Sequence, residues 1–444
     1  MTIKLSENFT YKKLLRFTAP AIIMMIFTSL YSIVDGVFVT NFVGKTALAS
    51  INFAFPIINI LATFGYMFGA GGSALVAKTL GEGNPKKANS LFSLFVYTCF
   101  LVGVLFSVLG FFLLRPLMSA FGAQGEMLDL AVIYGKILLI SLPLWNLQFL
   151  FQIFFVTAER AKLGLIVTLI AGFANMGFDA LFVAVFDWGL VGAAVATAVS
   201  QIVGGLIPTI YFFSKNTSLL RLGKTQIDFK ALLKATSNGS SEFVTGVSSS
   251  LVGILYNVQL LKIAGETAVA SYSIMMYVSF IFVAVFLGYT NGVGPIVGYN
   301  LGAKNYAEQK SVFKKSIAIL SVASLLMFAL SETLAFPLSK LFASYDKELF
   351  DMTLIGFRIY SLSFLFSGIA IFSSGYFTAL NNGIVSAVLS FLRTIVYQVS
   401  CVFILPILIS GVYGVWVSIV IAELLAFISA IVAFIIFRKK YQYA

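Results

Sequence analysis

The sequence predicts an all-α integral membrane protein: twelve transmembrane helices in two six-helix lobes related by internal duplication. Three observations carry this expectation. Hydrophobic residues make up 60% of the 444, charged residues 10%, and mean hydropathy is +1.00. So few charges cannot cover a soluble surface, and apolar runs of about 20 or more recur along the chain. The wording also repeats at an offset of 221 residues: GGSALVAKTLGEGN over 71–84 answers GVGPIVGYNLGAKN over 292–305. The same offset carries Gly44 onto Gly265, Ala49 onto Ala270, Pro116 onto Pro337, Gly135 onto Gly356 and Thr157-Ala158 onto Thr378-Ala379. Duplicated units with a cavity between them are the architecture of secondary transporters.

The first helix, over 14–41, opens behind Lys12 and Lys13 and contains Pro20. Its apolar run exceeds signal-peptide length and lacks a small-residue cleavage site, so it reads as a retained span. The second, over 48–79, holds Pro56 and ends in the first copy of the repeated motif; the third, over 89–114, follows Lys86 and Lys87 and stops before Arg115-Pro116. The fourth, over 130–156, contains Pro143, and the fifth, over 163–186, follows Arg160 and Lys162. The sixth, over 189–213, contains Pro208 and leads into a polar, basic stretch over 214–234 that reads as a linker. The second set falls at 236–264, 268–300, 314–337, 350–380, 384–409 and 412–437. The lobes are therefore 1–213 and 235–444. Six spans return the chain to its starting side, so the two halves are parallel repeats about an axis along the membrane normal.

The net charge of +12 orients the protein and does not recruit nucleic acid. Of 29 Lys and Arg, 21 fall on the side that holds both ends and seven on the other, with Arg393 inside a span. That bias places both termini in the cytoplasm. Cys99 and Cys401 lie in apolar segments of different halves and indicate neither disulfide nor metal site. The chain has no histidine, so proton chemistry falls to carboxylates. Gly44-Lys45-Thr46 fails as a phosphate loop because Val39 stands where that loop needs glycine. No cofactor is expected, and transport must draw on an ion gradient or run downhill.

Four carboxylates lie well inside predicted spans: Asp35, Asp179, Glu242 and Glu423. A charge at the bilayer centre costs on the order of 2.5–3.5 kcal/mol on insertion scales, so each needs a reason. At about 1.5 Å per residue, Asp35 and Asp179 reach comparable depth in the outer half of the membrane. Tyr31 precedes Asp35, and Asn175 precedes Asp179, by one helical turn. Thr197 and Gln201 share a face of the sixth helix. Such a cluster shares a proton, holds Na⁺ among oxygens, or is a hydrogen-bonded polar network that holds the helices together. The offset of 221 sets Tyr256 and Ser400 against the two aspartates, so one half looks specialised. Glu242 lies near the cytoplasmic end of the seventh helix and reads as a site for a cationic substrate or a second ion, or as a charge lining the cytoplasmic mouth; Glu423 reads as a packing or interhelical hydrogen-bond residue. Met24, Met25, Phe27, Met275, Met276, Tyr277 and Phe280 are candidates for an adaptable cleft lining.

These residues resemble the multidrug and toxic compound extrusion (MATE) transporters over essentially the whole chain. The motifs at 71–84 and 292–305 are similar to that family's helix 2 and helix 8 ends. Pro20, Tyr31, Asp35, Asn175, Asp179 and Thr197 resemble the N-lobe cation site of its DNA-damage-inducible branch, and Ser240-Ser241-Glu242-Phe243 resembles the staphylococcal exporters. The resemblance implies an H⁺- or Na⁺-coupled antiporter, a monomer in a bacterial cell membrane surrounded by lipids, that exports amphipathic drugs. It also implies a helix-1 kink at Pro20 that bends with protonation. One departure stands out: the predicted tenth helix offers serines (Ser363, Ser367, Ser373, Ser374) where a C-lobe acid would be. A lipid-linked oligosaccharide flippase, the nearest alternative, would want a basic cluster facing the cavity. An integral-membrane enzyme would want a histidine, metal motif or nucleophile–base pair.

Overall fold

The computed structural model describes residues 3–43, 45–120, 122–409 and 411–443, and they contain helices and no strand. Gly44, the partner of Gly265 and the first residue of the Gly44-Lys45-Thr46 motif, lies outside the described residues. Helices α1 (Tyr11–Phe42), α2 (Lys45–Gly81), α3 (Pro85–Ala120), α4 (Gly125–Thr157), α5 (Ala161–Asp179) and α6 (Gly189–Phe213) form the first lobe. A π-helical turn, Ala180–Val185, extends α5 directly after Asp179. The second lobe comprises α7 (Phe229–Gly302), α8 (Tyr306–Ala343), α9 (Lys347–Ser361), α10 (Phe364–Ala379), α11 (Gly383–Phe391), α12 (Gln398–Leu408) and α13 (Val412–Tyr441).

Two of these departures from twelve plain helices have a local cause. α7 holds 74 residues, which would make a rod of roughly 110 Å against a bilayer core of about 30 Å. It is interrupted at Gly265, whose φ of 72° and ψ of −163° suit glycine alone. It therefore supplies two spans, divided where the sequence places the gap between 264 and 268. The predicted single helix over 350–380 is instead α9 and α10, bent by 52° at Leu362–Ser363. With α7 counted as two spans, α9–α10 as one and α11–α12 as one, the described residues hold twelve. α1 runs through Pro20 without a break.

The repeat register is 221 early and 222 late. Gly83 and Lys304 both take positive φ, as do Glu159 and Asn381, and Gly189 and Gly411. The last two pairs differ by 222, so Asp179 matches Cys401 rather than Ser400, and Thr157-Ala158 matches Ala379-Leu380.

The linker reading needs shortening. Asp228 caps α7, its carboxylate accepting from the Ala231 N–H at 2.9 Å, so the helix begins at Phe229 and not at 236. What remains is docked on α3. The Arg221 N–H donates to Asn89 Oδ1 at 2.6 Å, the Gly223 N–H to Ser93 Oγ at 3.0 Å, and Leu220 and Leu222 are buried. α8 likewise starts earlier than predicted, at Tyr306 instead of 314, because Asn305 caps it through the Glu308 N–H.

The lobes meet along a glycine seam that obeys the repeat. A Cβ on Gly81 would meet Tyr299 O at 2.0 Å, and one on Gly302 would meet Lys78 O at 2.0 Å. These two contacts interchange under the 221-residue offset, as the two sides of a pseudo-two-fold must. Further along, Gly71 abuts Ala235 O and Gly292 abuts Thr18, again a related pair. Small residues let backbones approach where lipid provides no hydrophobic drive between helices.

Candidate functional site

In the N-terminal lobe, α1 delivers Asp35 and α5 delivers Asp179, and their carboxyl groups lie against each other within hydrogen-bond reach. Asp179 is fully buried and Asn175, one turn earlier on α5, nearly so. Asp35 Oδ1, Asn175 Oδ1, both Asp179 oxygens and Thr197 Oγ1 are buried without a hydrogen-bonding partner in the protein. Thr197 sits on α6, which packs along α5. Tyr31 reaches the Gln148 amide and feels the Asp35 charge. Tyr134 of α4, buried, feels both aspartates; nothing in its apolar sequence surroundings singles it out. The arrangement concentrates acceptor oxygens of carboxylate, amide and hydroxyl type and gives them no fixed donor. That is the donor chemistry of a proton or a hard cation. Among the described residues no group of three or more His, Cys, Asp or Glu forms a metal cluster.

The C-terminal lobe answers this cluster with neutral, satisfied groups. Tyr256, opposite Asp35 in the repeat, donates to Gln398 Oε1 at 2.7 Å and lies 3.2 Å from Ser418 Oγ. Its ring stacks on Tyr272 at 5.4 Å. The lobe's charge lies elsewhere. Arg393, in the π-helical turn Leu392–Tyr397, clasps Glu423 of α13: Nε to Oε2 at 3.1 Å and Nη2 to Oε1 at 3.1 Å. Glu423 is thus the interhelical residue that its position suggests, and Arg393, unassigned from sequence, is its partner.

The cleft candidates divide. Met276, Tyr277 and Phe280 line a cavity of about 560 Å³ in the C-terminal lobe. Met24, Met25 and Met275 are core residues at 1%, 8% and 0% exposure, so they do not form its wall. Phe27 packs on Phe173 and Tyr31 beside the aspartates. Glu242 lines a separate cleft of about 30 Å³ between the lobes, with Ser73, Thr290 and Thr378. Because α7 begins at Phe229, Glu242 lies about 20 Å along it, deeper than the cytoplasmic mouth expected from sequence.

Two six-helix lobes, a buried carboxyl pair and an interlobe cleft, all in membrane-spanning helices, define a multi-pass membrane transporter and not an enzyme. The chain belongs to the MATE family, whose family model, MatE, matches residues 20–181 and 243–404, one match in each lobe. Multidrug export protein MepA of Staphylococcus saprophyticus is 25% identical over 442 residues, covering 98% of this chain and 95% of the relative. MepA of Staphylococcus haemolyticus is 26% identical over 427 residues, covering 94% and 91%. Among solved structures, an outward-facing multidrug resistance MATE transporter of the MOP superfamily superposes with TM-score 0.92 at 22% identity, covering 100% of this chain and 99% of the other. A MOP superfamily transporter from Pyrococcus furiosus, described as having a binding pocket of reverse polarity, gives 0.89 at 22% identity, with coverage of 100% and 99%.

Proposed function

We propose that the protein is a cation-coupled antiporter, driven by H⁺ or Na⁺, that exports amphipathic, mostly cationic compounds by alternating access. The observation that carries this reading is the set of five buried, unpartnered oxygens on Asp35, Asn175, Asp179 and Thr197. Two carboxyls in contact inside a lipid-embedded lobe favour binding a cation over remaining jointly charged. A proton shared by Asp35 and Asp179 satisfies that demand; so does Na⁺ held with the Asn175 and Thr197 oxygens. If the ion binds one lobe conformation more tightly and drug binds the other more tightly, that difference is the whole coupling. Tyr31 orients the Asp35 side of the site, and Pro20, which removes one backbone hydrogen bond from α1, lets that helix bend as the ion binds.

The staphylococcal relatives named for multidrug export support the drug-efflux part of the reading. The bias of basic residues supports cytoplasmic termini in a bacterial cell membrane; the protein is a monomer with lobes over 1–213 and 229–444 joined by the segment 214–228. The flippase alternative is weakened by the lack of a basic cluster: Arg393 is the one basic side chain among the described residues that line the C-terminal cavity, and Glu423 balances its charge. Reconstitution into proteoliposomes with ΔpH or ΔNa⁺ imposed separately tests the proposal. Efflux of a lipophilic cation driven by one gradient is expected; efflux indifferent to both would overturn it.

A further inference from the structure

We propose that the cavity of the C-terminal lobe is a binding chamber for net-neutral, zwitterionic amphipaths, recognised by the Arg393–Glu423 pair. This goes beyond the antiport reading and needs no gradient to examine. The cavity, about 560 Å³, falls within the range of about 300–1,000 Å³ that holds drug-sized ligands. Arg393 and Glu423 are the only charged side chains among the described residues that line it. Arg393 is ten residues into the span that starts at Gly383, and Glu423 eleven into α13, which enters from the opposite side. Both therefore sit about 15–17 Å deep, near the middle of the bilayer.

The geometry of the pair sets the charge of its ligand. A guanidinium has five N–H donors, and Glu423 takes one from Nε and one from Nη2. The other donors, including both on Nη1, remain for an acceptor without breaking the pair. Glu423 in turn keeps lone pairs for a donor. A lone cation brought to Glu423 would leave the pair with an excess positive charge in a low-dielectric chamber; a lone anion on Arg393 would leave an excess negative one. Either uncompensated charge is costly at this depth. A ligand carrying both an anionic group and an ammonium adds one partner to each side and no net charge. The walls suit its remainder: Tyr277 and Phe280, about half-exposed, line the cavity together with Met276. Aromatic faces also favour an ammonium group. Of the other polar groups that line it, Tyr256 is paired with Gln398 and Tyr360 with Ser279 at 2.8 Å, while Asn257 and Tyr272 add neutral contacts, so the ion pair is the charged recognition element that the described lining residues offer a ligand. Glu242 does not line this chamber.

The test is equilibrium binding to purified full-length protein in a non-ionic detergent, read by fluorescence, with three probes sharing one dansyl fluorophore. Nε-dansyl-lysine is the zwitterion, dansylcadaverine the cation and dansyl-aminohexanoate the anion. The zwitterion is expected to bind at least tenfold more tightly than either of the others. Arg393→Gln should turn the preference to the cation and Glu423→Gln to the anion, while the exchange Arg393→Glu with Glu423→Arg should keep the zwitterion first. Should a single substitution fail to fold, Gly253→Leu fills the same cavity where an added Cβ meets no atom within 4 Å, and it should abolish zwitterion binding at unchanged melting temperature. A cation bound most tightly by the wild type, a preference indifferent to the pair, or absence of binding would each overturn the proposal. None of these results depends on transport, so failure of gradient-driven efflux leaves the binding measurement intact, and the reverse.

Discussion

Asp179 is a fully buried carboxyl and Asp35 a partly buried one with its Oδ1 enclosed, both with unpartnered oxygens, and each aspartate is the other's electrostatic problem. Asp35→Asn keeps the shape and much of the hydrogen bonding but removes the ionisable group. It is expected to abolish gradient-driven efflux in proteoliposomes while leaving membrane insertion and melting temperature near wild type; wild-type efflux would make Asp35 purely structural. Thr197→Val separates the two ions. The hydroxyl oxygen it removes would be a ligand in a Na⁺ site but has no part in a shared proton, so ΔNa⁺-driven efflux should fall sharply in the variant, whereas ΔpH-driven efflux should fall less. Glu242 stands apart in its small cleft between the lobes, with no second acid among the described residues that line it. Glu242→Gln should therefore shift the ranking of cationic against neutral substrates in a transport panel and leave the driving ion unchanged. Equal losses for both classes, with a new ion requirement, would move Glu242 into the coupling site.

The elements show how local backbone chemistry organises the spans. Gly265 adopts a conformation closed to L side chains, and it divides one continuous run of helical residues into two membrane crossings. Gly265→Ala should cost about 1–3 kcal/mol, the strain of holding a non-glycine residue there. Thermal unfolding of the purified variant would report this as a lowered melting temperature, and an unchanged value would mean that the turn tolerates another geometry. The cap at Asp228 and the docking of Leu220 and Leu222 on α3 turn the connection between lobes into a fixed tether rather than a loose one. Charge and polarity alone suggest the opposite, because a stretch rich in Lys, Ser and Asn reads as solvated until its backbone partners are known.

The whole molecule is held closed on the side of its two ends by more than the glycine seam. The N-terminal segment straps across both lobes. The Leu5 N–H donates to Glu159 Oε1 at 2.6 Å, and the Phe9 N–H to Glu308 Oε1 at 2.7 Å, while Lys315 Nζ donates to Phe9 O. Burial raises the Glu159 pKa, and the Leu5 N–H works against that rise. If the protein works by the alternating access proposed above, this face must open, and seam and strap would then set the balance between states. Gly302→Ala would drive a methyl into Lys78 O and push the lobes apart there. Overpacking of this kind costs about 1–3 kcal/mol. The expected result is a shift of the population towards opening on the terminal side, measured by the spin-label distance between α2 and α8 on that face; an unaltered distance distribution would show that the seam has slack.

The amino-acid pattern by itself determined the membrane class, the count of spans, the duplication and the identity of the carboxylates that lie inside the spans. Each of these follows from local composition or from spacing along one helix: an apolar run must span, and an acid inside it must have a purpose. Tyr31 with Asp35, and Asn175 with Asp179, are legible for the same reason, since one helical turn separates the members of each pair. What depends on packing between distant segments was decided only by the tertiary structure. The clasp of Arg393 on Glu423 joins residues thirty positions apart on different helices. The register step from 221 to 222 moved the counterpart of Asp179 to Cys401. Met24, Met25 and Met275 turned inward while Met276, Tyr277 and Phe280 face a cavity, because neighbouring positions on one helix point to different surroundings. Periodicity tells which residues share a face; which face meets lipid, core or cavity is settled by the helices packed against it.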